Sequence, residues 1–489
     1  MKKVKLLIVI GIIGFILTAC SAQGPNDYYG EGREFDPNYT KIVEFPFIDA
    51  QKVQDVYFTM DSNTGSYANI RNRILNGNYI SGDMIKTDEL INYFSYDFDD
   101  PAPGETFSIR SDMMVCPWNE ENHLITIGVA TKEVKLTESK GNNLVFLIDV
   151  SGSMSASNKL ELIKKAFPLM LDNLNSSDTI SIVTYSTRVK VVLEATKVSN
   201  RHKIISVINS LSPSGGTNGN SGLLKAYDIA EESFIEGGNN RIILATDGDF
   251  NVGPSSNDEM RELVTERKDS GIYLSVLGVG MGNYRDSKVE TLARYGNGNY
   301  AYIDSLIEAE KVLSEELTTT LLTVAKDVKV NVTFNPDVIE QYRVIGYENK
   351  QLSDDEFNDE TTDASELGSG SQTVVTYEVT LKEGAELLAS NTNILTTTVN
   401  YKEPTTDKLQ TYCSDFLVED ISKETKEDFI FVACVVEFSL ILRNSEYKGD
   451  ASLNEIIETL ELLECTKTDV YKEEFLELVK KVKSKDLIA

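Results

Sequence analysis

The 489 residues are enough for two to four domains, and a hydrophobic content of 41% allows real cores. A formal charge of −30 argues against a nucleic-acid partner. The two histidines, His123 and His202, lie near no nucleophile-like motif, and no Gly-x-x-x-x-Gly-Lys loop occurs. A Ser-His-Asp mechanism and phosphate-loop nucleotide chemistry therefore have no material here.

The chain opens with Lys2, Lys3 and Lys5 before an unbroken apolar stretch from Leu6 to Leu17. A charged start and a short apolar run describe a secretory signal rather than a spanning helix. The stretch ends in Leu17-Thr18-Ala19-Cys20, which resembles the lipobox of bacterial lipoproteins. The resemblance implies cleavage before Cys20, lipidation of its thiol, and an extracytoplasmic protein anchored by acyl chains. Residues 1–19 are then signal peptide and 20–42, rich in Gly, Asn, Asp, Tyr and Pro, a flexible tether.

Residues 43–103 are expected to be mostly helical, with helices near Tyr67–Ile74 and Thr87–Phe94. Thr106–Val115 and His123–Lys132 read as strands, assigned to the first part of a β-sandwich over 104–140. From 141 to 326, apolar strands alternate with helical patterns, as in a doubly wound, mostly parallel α/β sheet. Leu144–Ile148 is its first strand. Lys159–Leu174 follows as a helix, with Leu160, Ile163, Phe167, Met170 and Leu174 on one face. Thr179–Tyr185 and Val189–Leu193 form a strand pair whose second member is an antiparallel edge. Helices at Arg201–Leu211 and Ser221–Phe234 flank the next loop. The strand Arg241–Thr246 comes next, and a long helix from Leu306 to about Ala325 closes the unit.

Val328–Phe334, Tyr342–Tyr347, Gln372–Leu381 and Leu395–Tyr401 alternate in the manner of strands over 327–420, the second part of the sandwich. The central α/β unit is thus expected as an insertion between sandwich strands, with two connections leaving one of its edges. The acidic, Gly-Ser-rich segment Ser353–Ser371 reads as a solvated loop, since its spacing does not fit an EF-hand. Residues 421–489 are expected to be helical, with helices at Lys426–Leu442, Ser452–Glu464 and Asp469–Lys483. Cys116, Cys413, Cys434 and Cys465 have no zinc or redox spacing. They are expected as buried free thiols, with a Cys116–Cys413 bridge as the alternative.

Asp149-Val150-Ser151-Gly152-Ser153, then Gly215-Gly216-Thr217-Asn218, then Thr246-Asp247-Gly248, lie far apart in sequence. The first and last of these each follow an apolar strand. Loops at the carboxyl ends of such strands are where open α/β sheets bind ligands. Hydroxyl and carboxylate oxygens suit a hard cation, Mg²⁺ or Mn²⁺. This ordered set resembles the metal-ion-dependent adhesion site of the von Willebrand factor type A domain. The resemblance implies Asp149, Ser151, Ser153, Thr217 and Asp247 as metal ligands and a protein partner whose Asp or Glu carboxylate completes the shell. Asp61–Asn69, Glu89–Phe94, Cys116–Asn119, Ala245–Gly253, Ile345–Asn349 and Tyr447–Ala451 resemble one family of bacterial lipoproteins with a central type A domain and a C-terminal region of unknown function. The expected function is metal-dependent protein binding at a cell surface, without nucleotide or enzymatic activity. The alternatives are an envelope scaffold whose site is filled from within, for which segment 353–371 is the candidate donor, and a Mg²⁺-dependent hydrolase.

Overall fold

The computed structural model describes residues 41–60, 63–78, 80–135, 140–248, 270–280, 292–362, 364–385 and 388–485, together with 262, 264, 265 and 267. Cys20 and the signal and tether segments before residue 41 lie outside these described residues.

The first strands, β1 (Ile48–Asp49) and β2 (Asp55–Thr59), precede helices α1 (Gly65–Asn76) and α2 (Thr87–Ile91). Then come β3 (Phe107–Val115) and β4 (His123–Thr131). The central unit runs through β5 (Asn142–Asp149), α3 (Leu160–Asp172), β6 (Thr179–Tyr185), β7 (Val189–Lys197), α4 (Arg201–Ser210), α5 (Gly219–Glu232), β8 (Asn239–Thr246), β9 (Tyr273–Val279) and β10 (Tyr300–Ile303). Its sheet has the order β10-β9-β8-β5-β6-β7, parallel except for the β6–β7 pair.

Both central strands, β5 and β8, are buried along their whole length, and each carries an unbroken apolar stretch, Leu144–Ile148 and Ile242–Ala245. Alternation of the pleat divides them between two cores. Leu144, Phe146 and Ile148 face α3 and α4, whereas Val145 and Leu147 face α5. In α3, Leu160, Ile163, Phe167 and Met170 form the buried stripe that this packing requires.

The closing segment differs from the single long helix expected over 306–325. It is α6 (Leu306–Glu310), a π-helical turn at Lys311–Glu315, and α7 (Leu317–Leu321), after which β11 begins at Thr323. The β-branched residues Thr323, Val324, Val328, Val330 and Val332 favour a strand over a further helical turn.

Beyond β11 (Thr323–Phe334) lie β12 (Ile339–Ile345), β13 (Gln351–Leu352), α8 (Asp354–Asn358), β14 (Ser365–Gly368), β15 (Gln372–Leu381), β16 (Asn393–Lys402) and β17 (Leu409–Leu417). Two sheets result, in the orders β1-β12-β15-β4-β3 and β13-β2-β11-β16-β17, with β14 also on β11. They share one core that includes Phe58, Ile125, Ile127, Val330, Val332 and Tyr377. Strands from before the central unit thus pair with strands from after it: β4 with β15, and β2 with β11.

Residues 43–103 carry strands as well as the expected helices, and β1 and β2 from this segment enter the two sheets. The acidic segment 353–371 carries α8 and β14, and Lys329 Nζ donates to the Glu356 carbonyl at 3.0 Å and to the Asp359 carbonyl. Cys116 and Cys413 are free, and burial raises the Cys116 thiol well above its ordinary pKa.

The C-terminal helices are α9 (Glu427–Arg443), α10 (Leu453–Leu462), α11 (Glu464–Thr468) and α12 (Val470–Lys485). Nearly every residue of α9 is buried, including Phe431, Val435 and Phe438. It is surrounded by side chains of α1, α2, α10 and α12. Among the described residues no helix is long and apolar enough to cross a membrane.

The buried guanidinium of Arg71 on α1 ties several of these parts together. It donates to Asp304 after β10, to Tyr93 at 2.8 Å, to Glu308 on α6 at 2.8 Å, and to Glu474 on α12 at 3.1 Å. The Tyr93 hydroxyl donates to Glu308 at 2.8 Å. Removing the cation from such a cluster leaves carboxylates buried without a counter-charge, which typically costs about 3–5 kcal/mol. Arg71→Met is expected to lower unfolding free energy by about that amount in urea titrations, whereas Leu75→Ala on the exposed side of α1 should change it by less than about 0.5 kcal/mol.

Candidate metal centre

The register of β5 on β8 pairs Ile148 with Ala245, so Asp149 and Asp247 leave neighbouring strands at one carboxyl edge. Both carboxylates are buried. On the other side β5 pairs with β6, and Asp149 stands across from Tyr185.

The chain turns at once after Asp149. Asp149 Oδ1 accepts the Ser151 backbone N–H at 2.7 Å, which holds the loop against the strand end. The hydroxyls of Ser151 and Ser153 stand 2.9 Å apart, so both lie on one side of that turn. The Thr217 loop is laced to this one: Gly152 N–H donates to the Gly215 carbonyl at 3.0 Å, and Ser214 N–H to the Val150 carbonyl at 2.7 Å. Gly215 has φ +82, and a Cβ there would lie 2.5 Å from Thr187 Oγ1. Only glycine fits both demands. Gly216 N–H donates to the same Thr187 hydroxyl at 2.8 Å. Thr217 follows, largely buried, just before the Asn218 cap of α5.

Three residues outside the sequence motif shape the centre. Thr187 positions the Gly215–Gly216 turn. Tyr185 stands beside Asp149 and, by hydrogen bonding, slightly favours its ionised form. Lys159 donates to Asp247 Oδ2 at 2.8 Å, and both side chains are buried. No spacing rule points to these residues, because each meets its partner only through the fold.

Burial is the main reason the Asp149 carboxyl is pushed up to about 6 from an ordinary 3.8. Hydrogen bonds from Ser151 oppose the rise, and the Asp247 charge adds to it. Asp149 Oδ2 is buried with no well-formed hydrogen bond. A buried carboxylate oxygen in that condition is costly unless something cationic meets it.

Two carboxylates on neighbouring strands and the adjacent Ser151 and Ser153 hydroxyls, with the Thr217 loop laced to theirs, are oxygens of the kind a hard divalent cation takes. Among the described residues, no cluster of three or more His, Cys, Asp or Glu side chains offers an alternative metal site. The acidic segment 353–371 reaches a different part of the central unit. Glu366 of β14 lies in the electrostatic surroundings of Arg241 and Tyr273, at the amino ends of β8 and β9. Asp247 lies six positions beyond Arg241 along the strand direction, about 20 Å at the usual rise. That placement gives no support to a site filled by this segment.

The fold and this edge define a von Willebrand factor type A protein. Family models agree: the von Willebrand factor type A domain matches residues 143–315, the von Willebrand factor family matches 33–126, and "uncharacterized protein YfbK, C-terminal" matches 319–485. YfbK of Escherichia coli strain K12 is 36% identical over 444 residues, covering 86% of this chain and 77% of YfbK. The chain belongs to the YfbK family. Inter-alpha-trypsin inhibitor heavy chain H3 of Mesocricetus auratus is 29% identical over 260 residues, 49% of this chain and 29% of that one. A solved von Willebrand factor type A protein from Catenulispora acidiphila is 14% identical, covering 80% of this chain and 91% of that chain, with a TM-score of 0.45. Type A domains commonly bind protein partners and usually hold a divalent metal.

The raised Asp149 pKa has a consequence for the metal-free protein. Its folded value lies above its unfolded value, so protonation favours the fold. That contribution is complete below about 3.8 and is lost as pH rises through about 6. Ionised Asp149 therefore costs the metal-free fold about 2–3 kcal/mol at pH 7. Asp149→Asn should raise stability by up to that amount in EDTA at pH 7, with the gain shrinking toward pH 4. Urea unfolding across this range checks it, and a gain independent of pH would contradict the assignment.

Proposed function

We propose that this protein is an extracytoplasmic, lipid-anchored binding protein whose centre holds Mg²⁺ or Mn²⁺ and captures an Asp or Glu carboxylate of a partner protein. The observation that carries this reading is the buried Asp149 Oδ2, which lacks a well-formed hydrogen bond, at a sheet edge where Asp149 and Asp247 leave neighbouring strands and the Ser151 and Ser153 hydroxyls stand 2.9 Å apart. Asp149, Ser151, Ser153, Thr217 and Asp247 would hold the ion. The bound ion would supply an electrophilic coordination position that a carboxylate can fill. The residues themselves contribute shape and low charge: three of the five ligands are neutral hydroxyls, so they do not quench the ion's attraction for an anion.

The anchor part of the reading rests on Lys2, Lys3, Lys5, the apolar run to Leu17, and Cys20. Acylation at Cys20 would leave the folded part outside the cytoplasm on a tether of about twenty residues. Cys20→Ser is expected to move the protein from the membrane pellet to the soluble fraction. Retention in the pellet would contradict lipid anchoring at this residue.

The binding part is tested by calorimetric titration of Mg²⁺ and Mn²⁺ into the chain without its first 40 residues, followed by capture of envelope proteins. Saturable metal binding should vanish in Asp149→Ala, and captured partners should elute with EDTA. Partners that survive both EDTA and Asp149→Ala would overturn metal-dependent binding.

A further inference from the structure

The part played by Lys159 follows from its surroundings. It sits just before α3, ten residues after Asp149, with its side chain 9% exposed. Its ammonium rests on Asp247 Oδ2 at 2.8 Å. Its stem runs past Gly280, the residue that follows β9. A Cβ on Gly280 would lie 2.2 Å from Lys159 Cε, and Gly280 has φ +81. Gly280 is also fixed from the other side, because its carbonyl accepts the Tyr302 hydroxyl at 2.5 Å. The lysine therefore occupies a fitted slot rather than a solvent-facing rotamer.

Burying an ammonium is costly unless it meets an anion, and here the anion is one of the proposed ligands. The two carboxylates of the centre are consequently unlike. Asp247 has a counter-charge on Oδ2, whereas Asp149 Oδ2 has no well-formed hydrogen bond. A divalent ion at this edge would meet a full positive charge one residue contact away. It would also find one oxygen of Asp247 already taken.

We propose that Lys159 sets the metal affinity of the centre: it holds Asp247 through Oδ2, keeps that carboxylate from closing fully on the ion, and weakens cation binding by its charge. The consequence is an ion held loosely by the protein alone and firmly only when a partner carboxylate adds its own negative charge. This inference rests on the centre binding a divalent cation, as proposed above.

The test is Mg²⁺ titration, by calorimetry and by thermal shift, of the chain from residue 41 onward. Wild type, Lys159→Met, Lys159→Gln and Asp149→Ala are compared. Lys159→Met is expected to bind Mg²⁺ roughly tenfold or more tightly than wild type, the scale on which groups behind a metal's ligands act. Its melting temperature in EDTA should fall, and Mg²⁺ should raise it by more than in wild type. Lys159→Gln, which keeps a donor but not the charge, should lie between the two and carries the test if Lys159→Met does not fold. A lysine that only packs in its slot would lower stability without tightening Mg²⁺. Affinities for both variants within about twofold of wild type, or weaker, would therefore overturn the inference while leaving the metal centre standing. Mg²⁺ binding in Asp149→Ala as tight as in wild type would instead overturn the metal centre.

Discussion

The parallel pairing of β5 with β8 is the constraint on which the rest depends. With Ile148 beside Ala245, two aspartates 98 positions apart leave the sheet at one edge, both out of water. A shift of one residue would turn every side chain of β8 to the opposite face. The apolar alternation of both strands forbids that shift, since each face is buried against its own helices. Core packing and site geometry are thus one requirement. The interleaved loops around Gly152, Gly215 and Thr187 follow from it, because they have only the space left above the strand ends.

Several buried charges around this unit meet opposite charge, as Arg343 meets Glu378 and Lys350 meets Asp88. Arg71 joins α1 to the end of β10, to α6 and to α12, while Lys159 joins the start of α3 to the end of β8. Both are cations in low-exposure slots, and both meet carboxylates from distant parts of the chain. The difference lies in what surrounds the anion. Asp304, Glu308 and Glu474 are gathered on one guanidinium, and the Tyr93 hydroxyl adds a further bond to Glu308. At the edge of the sheet, among the described residues, Asp149 is favoured by Ser151 and weakly by Tyr185, while the Asp247 charge opposes its ionisation. The first arrangement suits a joint between parts of the fold. The second retains unsatisfied negative charge, which is what a cation-binding site needs.

Most regular elements could be read from local pattern. The apolar runs of β5 and β8, the stripe on α3 and the alternation of β15 are strong signals because each is long and well buried. The strands that escaped are of another kind. β17 is mostly exposed or half-buried along one margin of its sheet, and β2 and β14 are only five and four residues long. Short or one-sided strands show little periodicity, so pairing decides them. The closing segment departs from one long helix for a related reason: Leu317 and Leu321 continue a helical spacing, but the strand beginning at Thr323 takes over through its contacts with β14 and β16.

The alternation that defines an α/β fold depends on neighbours in the chain and was legible there, and so was the order of Asp149, Ser151, Ser153, Thr217 and Asp247 along it. Partnerships across the molecule were not. The meeting of Lys159 with Asp247, the slot at Gly280, the seat of Arg71 and the contact of β2 with β11 each join residues far apart in sequence. Periodicity and turn chemistry record how a segment folds against itself. The choice of which buried cation meets which carboxylate depends on sheet register and helix packing, and those exist only once the whole chain has closed around its cores.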